Sequence, residues 1–378
     1  MSRPAPKGWC PGAWTPMTSG DGLIVRVRPR HGRLRAADVR ALCDLAEAHG
    51  NGLLEVTRRA NLQLRGVTER AHPSVLAALE TRALLDATAE AERRRNVIVA
   101  PFWKPGDLTA RLSAALLAGL EGFPELPVKF GVAVDTGAAP VLRAAPADIR
   151  LERDGGGLVL RADGAASGRR VAEGEAVAAA AALARWFAET APATGARRMA
   201  AHLAACPLPP EWTGTPAPAA GPVPAPGETP LGPLLGIPFG QIDAGTLRAA
   251  LAESEAAALR LTPWRMVLFE GGRSPAGLIG APGDPRLSVD ACPGAPACAS
   301  AAGPTRPLAR ALAGRAPSLH VSGCAKGCAR SGPAAVTLVA QADGRFDLVE
   351  GGHAWDEPGL RGLTEAEVLA RFGAADAL

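Results

Sequence analysis

Short patterns that occur before residue 207 return in the same order after residue 230, and this return constrains the fold more than any other feature of the chain. Val56 to Gly66 aligns without gaps on Leu261 to Gly271, keeping a threonine, the apolar alternation Leu62/Val267 and Leu64/Phe269, and the closing glycine. Farther on, Leu126 to Gly131 takes the place of Leu319 to Cys324. Ile149 to Gly164 is echoed by Val336 to Gly351, each reading as strand, Asp-Gly turn, strand. Ordered echoes at long period predict an internal duplication of an α+β unit. Between the copies, residues 207–230 are dense in Pro, Ala and Gly and predict an extended linker.

Local patterns fill in the first copy. Asp21 to Val27 reads as a strand. Ala36 to His49 reads as a helix with Leu42, Leu45 and Ala46 on one face and Gly50-Asn51-Gly52 as its stop. Leu53 to Thr57 and Asn61 to Val67 alternate like strands, and Pro73 to Leu85 reads as a second helix. Val97 to Val99 is a short buried strand, Leu108 to Leu120 a helix, and Val128 to Val134 another strand. In the second copy, Leu235 to Ile242 reads as a strand, Thr246 to Ala258 as a helix, and Leu261 to Gly271 as strand again.

Composition excludes several classes. Gly and Pro make up about a fifth of the 378 residues, below low-complexity levels, and 47% are hydrophobic, so the chain folds. Aromatic residues are 4% with no tyrosine, and the net charge is only +4, which argues against a nucleic-acid partner. No run of 18 or more uncharged apolar residues occurs, so no membrane span is expected. Met1 to Gly20 lacks a signal-peptide pattern, which points to a cytoplasmic, reducing compartment where seven cysteines serve better as ligands than as disulfides.

Four of those cysteines form two groups, Cys292 and Cys298 as C-x5-C, and Cys324 and Cys328 as C-x3-C. Four thiolates are the donor set of a [4Fe-4S] cube. The spacings do not match the short knuckles of zinc sites, so structural zinc and free buried thiols are the weaker alternatives. Gly294, Gly323 and Gly327 let the backbone approach a large cluster and turn amides towards its sulfurs. The first half has no such pair; it offers cations instead. Arg58, Arg59 and Arg65 surround Asn61 and Gln63, followed by Arg95 and Lys129. Alternation of Thr57, Arg59, Asn61, Gln63 and Arg65 predicts one polar face on a strand, suited to a polyanionic ligand.

The C-x5-C and C-x3-C pairs, the stretch Thr57-Arg58-Arg59-Ala60-Asn61-Leu62-Gln63, the step Arg95-Asn96-Val97 and the repeated halves together resemble the sulfite and nitrite reductase family over nearly the whole chain. Gly8-Trp9-Cys10-Pro11-Gly12, Thr18 to Leu23 and Arg59 to Gly66 are most similar to its branch that oxygenates a tetrapyrrole in aerobic cobalamin synthesis. The resemblance implies an α+β fold of two pseudo-repeated halves, each a ferredoxin-like half-domain followed by a mixed α/β reductase-type domain. Its boundaries are 1–88 with an N-terminal arm, 89–206, the linker 207–230, 231–283, and 284–378 with the cluster. It implies a [4Fe-4S] cluster on Cys292, Cys298, Cys324 and Cys328, and a monooxygenase reaction of precorrin-3A with dioxygen. Arg58, Arg95 and Lys129 are the expected catalytic residues, and Arg59, Asn61, Gln63 and Arg65 the expected substrate-binding ones. Electrons derived from NAD(P)H are expected from a separate donor protein, since no G-x-G-x-x-G follows a strand. A second iron centre or sirohaem stays open, as do the roles of Cys10 and His320.

One departure bears on the reaction. The reductases carry a Lys-x-Lys pair after Leu-Pro, whereas this chain has Lys129-Phe130-Gly131. A sirohaem-dependent sulfite or nitrite reductase is therefore the second expectation, and a non-catalytic iron-sulfur or tetrapyrrole-binding subunit the third. Cys43, on the apolar side of its helix, is expected to be core.

Overall fold

The computed structural model describes residues 10–374. Gly8 and Trp9 of the N-terminal motif lie outside them. The chain starts with Met17–Ser19 (β1) and Gly22–Val27 (β2), a hairpin, then Arg33–Arg35 (β3) and the helix Ala36–His49 (α1). Helix α1 buries Val39, Leu42, Cys43 and Ala46, the i, i+3, i+4, i+7 stripe of an amphipathic helix, and stops where the Gly50 amide bonds the Ala46 carbonyl. Leu53–Val56 (β4), Leu62–Val67 (β5) and His72–Thr81 (α2) complete the unit.

Ala89–Arg94 (α3), Val97–Val99 (β6), Leu108–Gly119 (α4) and Val132–Asp135 (β7) open a second sheet. Ile149–Asp154 (β8), Gly157–Ala162 (β9), Ser167–Arg170 (β10), Ala176–Thr194 (α5) and Met199–Leu203 (α6) follow. Strands β6, β7 and β8 are parallel, whereas β8, β9 and β10 run antiparallel. Helices α4 and α5 cover the sheet over a core that includes Leu116, Val134, Leu151, Leu183 and Phe187.

The Pro-rich segment is extended and built into the fold. Trp212 is buried in this core, Thr215–Pro216 (β11) extends the sheet beside β10, and the Gly221 amide bonds the Pro140 carbonyl.

Gly227–Thr229 (β12), Gly232–Gly236 (β13), Gln241–Asp243 (β14), Ala244–Ser254 (α7), Ala258–Leu261 (β15) and Met266–Glu270 (β16) then run in the order of β1 to β5. The two small sheets exchange a strand. Their orders are β1-β2-β5-β4-β14 and β12-β13-β16-β15-β3, with Gln241 opposite Glu55 and Arg33 opposite Arg260. One core lies beneath both, joining Leu42 and Leu62 to Leu247 and Phe269. Backbone conformations match as well: His31 and Phe239 have φ of 56° and 58°, and Ala60 and Arg265 have φ of 52° and 59°. The last unit contains Val289–Ala291 (β17), Arg306–Ala311 (α8), Leu319–Ser322 (β18), Ala334–Ala340 (β19), Phe346–Gly352 (β20), Leu360–Leu363 (β21) and Glu365–Arg371 (α9). Its sheet is parallel from β17 to β19 and antiparallel beyond. No helix among the described residues is long and apolar enough to cross a membrane.

Three expectations are corrected. The single polar strand face expected from Thr57 to Arg65 is interrupted, because Thr57 to Asn61 is a turn in which the Thr57 hydroxyl accepts the Arg59 and Asn61 amides and Ala60 is left-handed. The strand expected from Val128 starts only at Val132. Phe130 turns back onto the Pro127 carbonyl and the Gly131 amide is taken by Asp148 Oδ2 at 2.9 Å, so the match of Leu319–Ser322 is Val132–Asp135. The strand expected over Leu235 to Ile242 breaks at Pro238 and left-handed Phe239.

Candidate functional site

The C-terminal ends of parallel strands, where α/β sheets place ligands, carry the cysteines. Cys292 follows β17 directly and Cys324 lies two residues past β18. The Gly323 amide points at Cys292 Sγ at 3.2 Å, and Gly294, at φ 71°, turns its amide the same way. Burial pushes the Cys292 and Cys328 thiols up, and the neighbouring thiols add to this; at Cys328 all three of the others contribute. The four sulfurs therefore share one neighbourhood. Yet among the described residues no three His, Cys, Asp or Glu side chains group closely enough to hold a single ion. Four thiols, with the Gly323 amide aimed at the Cys292 sulfur, are the donor set that a [4Fe-4S] cluster takes.

Beside the cysteines a cleft of about 760 Å³ opens, within the range of cofactor and substrate pockets. The β4–β5 turn brings Arg58 and Arg59 to its wall, β5 brings Gln63, and the loop before β7 brings Lys129. Arg59 Nη2 donates to the Lys129 carbonyl at 2.7 Å, and its Nη1 is buried without a partner. Burial holds the Arg59 guanidinium below its ordinary pKa, with Arg198 adding to the effect.

Other expected residues lie elsewhere. Arg95 is buried against Asp86, with Nη2 at 2.7 Å from its carboxylate, and donates Nη1 to the Arg28 carbonyl. It braces the fold and is absent from the cleft wall. Arg65 is 2% exposed, paired with Asp21 and Glu55, and reaches the Ala297 carbonyl at 2.9 Å. Asn61 closes the turn through its main chain, with the Thr57 amide on its carbonyl at 2.9 Å. Cys43 is fully buried, which pushes its thiol up to about 12. His320 lies in β18 beside Asp290, its Nε2 buried without a partner, and burial holds it down at about 4.

Sequence reasoning missed Arg26, Glu55, Arg265 and Arg306, all on the cleft wall. Burial and then Arg28 lower the Arg26 pKa to about 10, and the Cys10 thiol, which works against this, also faces the cleft. Arg265 occupies the left-handed position that matches Ala60 and pairs with Asp290 at 2.6 Å; Arg306 pairs with Glu55 at 3.0 Å. A charged residue inside the apolar strand Gly22–Val27 was a readable signal for Arg26. Arg306 gave none. Six cationic side chains against Glu55 and Asp290 leave the wall positive, a surface for a molecule with several carboxylates.

Residues 15–82 match the model of the nitrite/sulfite reductase ferredoxin-like half domain. The chain is 33% identical to a precorrin-3B synthase from Sinorhizobium sp., across 97% of this chain and 88% of that protein. It is 28% identical to the ferredoxin–nitrite reductase of Synechococcus elongatus over 33% of this chain and 26% of that one. Among solved structures, Mycobacterium tuberculosis NirA superposes with a TM-score of 0.61 over 92% of this chain and 78% of its own, at 19% identity, a likeness of fold.

Proposed function

The chain belongs to the precorrin-3B synthase family, and on that premise we propose that it is a cytoplasmic monooxygenase that converts precorrin-3A to precorrin-3B, hydroxylating C-20 and closing a γ-lactone with the ring A acetate. One oxygen atom enters the tetrapyrrole and the other leaves as water, which consumes two electrons and two protons per turnover. The observation that carries this reading is the surplus of guanidinium groups in the cleft that adjoins the four thiols.

Cys292, Cys298, Cys324 and Cys328 would hold a [4Fe-4S] cluster, which supplies electrons one at a time when bound. Electrons derived from NAD(P)H reach it from a separate donor protein. Arg26, Arg58, Arg265 and Lys129 hold the carboxylates of the substrate. Arg59 stands behind Lys129 through the Lys129 carbonyl and fixes the loop that presents the ammonium group. Any sirohaem or second iron would share this cleft with the substrate.

Gly131 supports the oxygenase over the reductase reading. A Cβ at this position would sit 2.8 Å from the Asn96 carbonyl oxygen, so the second lysine of the reductases has no room here. An oxyanion undergoing six-electron reduction would lack that preorganised charge. We also read the matching element orders and left-handed positions as an internal duplication, with units 1–88, 89–206, 231–283 and 284–378 joined through 207–230.

The test is a pair of assays on cluster-loaded protein with a strong artificial reductant: precorrin-3A consumption in air, and sulfite and nitrite reduction without oxygen. Oxygen-dependent consumption of precorrin-3A with negligible anion reduction supports the proposal. Rapid anion reduction with the tetrapyrrole untouched refutes it.

A further inference from the structure

A buried polar chain runs from the cleft to the cysteine loop. Arg26 Nε and Nη2 donate to Gln63 Oε1 at 3.0 and 2.6 Å, and Gln63 Nε2 donates to Glu55 Oε2 at 3.2 Å. Arg65 Nη1 donates to the same carboxylate oxygen at 3.2 Å, while its Nη2 donates to the Ala297 carbonyl, one residue before Cys298. Arg306 Nη2 and Gln241 Nε2 occupy Glu55 Oε1 at 3.0 and 3.2 Å. Glu55, Gln63, Arg65 and Arg306 are all at least nine-tenths buried.

At the far end, the cysteine loop is held by the first half of the chain. Ser19 Oγ donates to the Ala297 carbonyl at 2.6 Å beside Arg65. Gly20 is packed so closely that a Cβ would meet the Pro296 carbonyl oxygen at 2.2 Å. The β1–β2 turn and the loop from Cys292 to Cys298 therefore shift together or not at all.

We propose that this chain couples occupancy of the cleft to the cluster, so that a polycarboxylate bound between the arginines lowers the reduction potential at the cysteine loop. The proposal rests on reading the cleft as a tetrapyrrole site and the four thiols as cluster ligands. Glu55 is an acceptor whose two oxygens already carry four donors. Ligand carboxylates that draw Arg306 off Glu55 and Arg26 off Gln63 leave Glu55 with less compensation, and in a low-dielectric interior that loss is felt strongly. Arg65 then leans towards Glu55 and its bond to the Ala297 carbonyl weakens. Less positive potential reaches the cluster, and adding an electron to it becomes harder. A reduced cluster thus becomes a stronger donor when substrate is present, which suppresses idle reduction of dioxygen.

The experiment is an anaerobic redox titration of cluster-loaded protein followed by electron paramagnetic resonance, with and without saturating uroporphyrin, a stable tetrapyrrole octacarboxylate. Binding is measured separately by fluorescence. In the wild type the reduced-to-oxidised ratio at fixed potential falls about tenfold, equivalent to about 59 mV for one electron. Glu55→Gln binds the probe but loses most of the shift. Gln63→Met, which severs the Arg26 arm without removing a charge, reduces it by about half and serves if Glu55→Gln does not fold. Binding with no shift in the wild type, or the full shift in Gln63→Met, overturns the coupling while leaving the proposed function standing. Failure of uroporphyrin to bind removes the tetrapyrrole site and the coupling with it.

Discussion

Arg65 and Ala297 stand 232 positions apart in sequence and 2.9 Å apart in space, guanidinium to carbonyl. The contact ties the strand that follows the arginine-bearing turn to the loop that carries Cys292 and Cys298. A residue that looks like a ligand-binding arginine in the sequence is, in the fold, the brace between cleft and cysteines.

If the four cysteines hold the proposed cluster, removing one of them removes it. Cys324→Ala protein should contain little iron or sulfide, since no neighbouring side chain can replace the thiolate. Cys43→Ala, within the core of α1, should retain both. Iron and sulfide assays on purified proteins check the pair.

The cleft arginines and Arg95 should behave differently. Arg265→Ala should weaken binding of a polycarboxylate tetrapyrrole by about 1.5–3 kcal/mol, the scale of a hydrogen bond to a charged group, and spare stability by comparison. Arg95→Ala leaves Asp86 buried and unpaired, which should cost about 3–5 kcal/mol of stability. Denaturant titration and ligand titration of both variants separate the effects; equal loss of affinity with unchanged stability in Arg95→Ala would place Arg95 in the site.

Acid should loosen the exchanged strand. Burial tends to raise the Glu270 pKa, but Arg33 and Arg260 outweigh it and hold the carboxyl at about 2, against an ordinary value of 4.5. A depressed carboxylate stabilises the fold above its unfolded pKa, and that contribution disappears as pH falls from 4.5 through about 2. Glu270→Gln should lose about 1–3 kcal/mol near neutral pH and show a flatter stability curve in that acid window. Denaturant unfolding at a series of pH values measures it.

Gly131 should tolerate no side chain. Gly131→Lys, which restores the reductase pattern in sequence, should displace the Asn96 carbonyl and lower stability by about 1–3 kcal/mol without creating sulfite or nitrite reduction. Thermal unfolding and anion assays test both halves of that statement.

Features written in contiguous residues were legible. The cysteine pairs, the limits of α1 and the Asp-Gly hairpins depend on neighbours a few positions away, and the match of Thr57 with Thr262 reflects a turn that both threonines cap with their own hydroxyls. What escaped the sequence depends on distant partners. Arg95 has its carboxylate in Asp86, and Arg306 meets Glu55 across 251 positions. The left-handed residue that breaks the polar alternation after Thr57 gives no sequence signal, because an alanine, not a glycine, takes that position. Gly131 ends a loop instead of lying in a strand because Asp148 claims its amide, and no local pattern announces that side chain.

The proposed function stands or falls on oxygen insertion into a tetrapyrrole bound beside the cysteines. Turnover of precorrin-3A under ¹⁸O₂ with reductant, followed by mass analysis of the product, tests it most directly. One labelled oxygen atom per product molecule is expected, with the other in water. A product that carries no label, or unlabelled tetrapyrrole accompanied by fast sulfite or nitrite consumption, contradicts it.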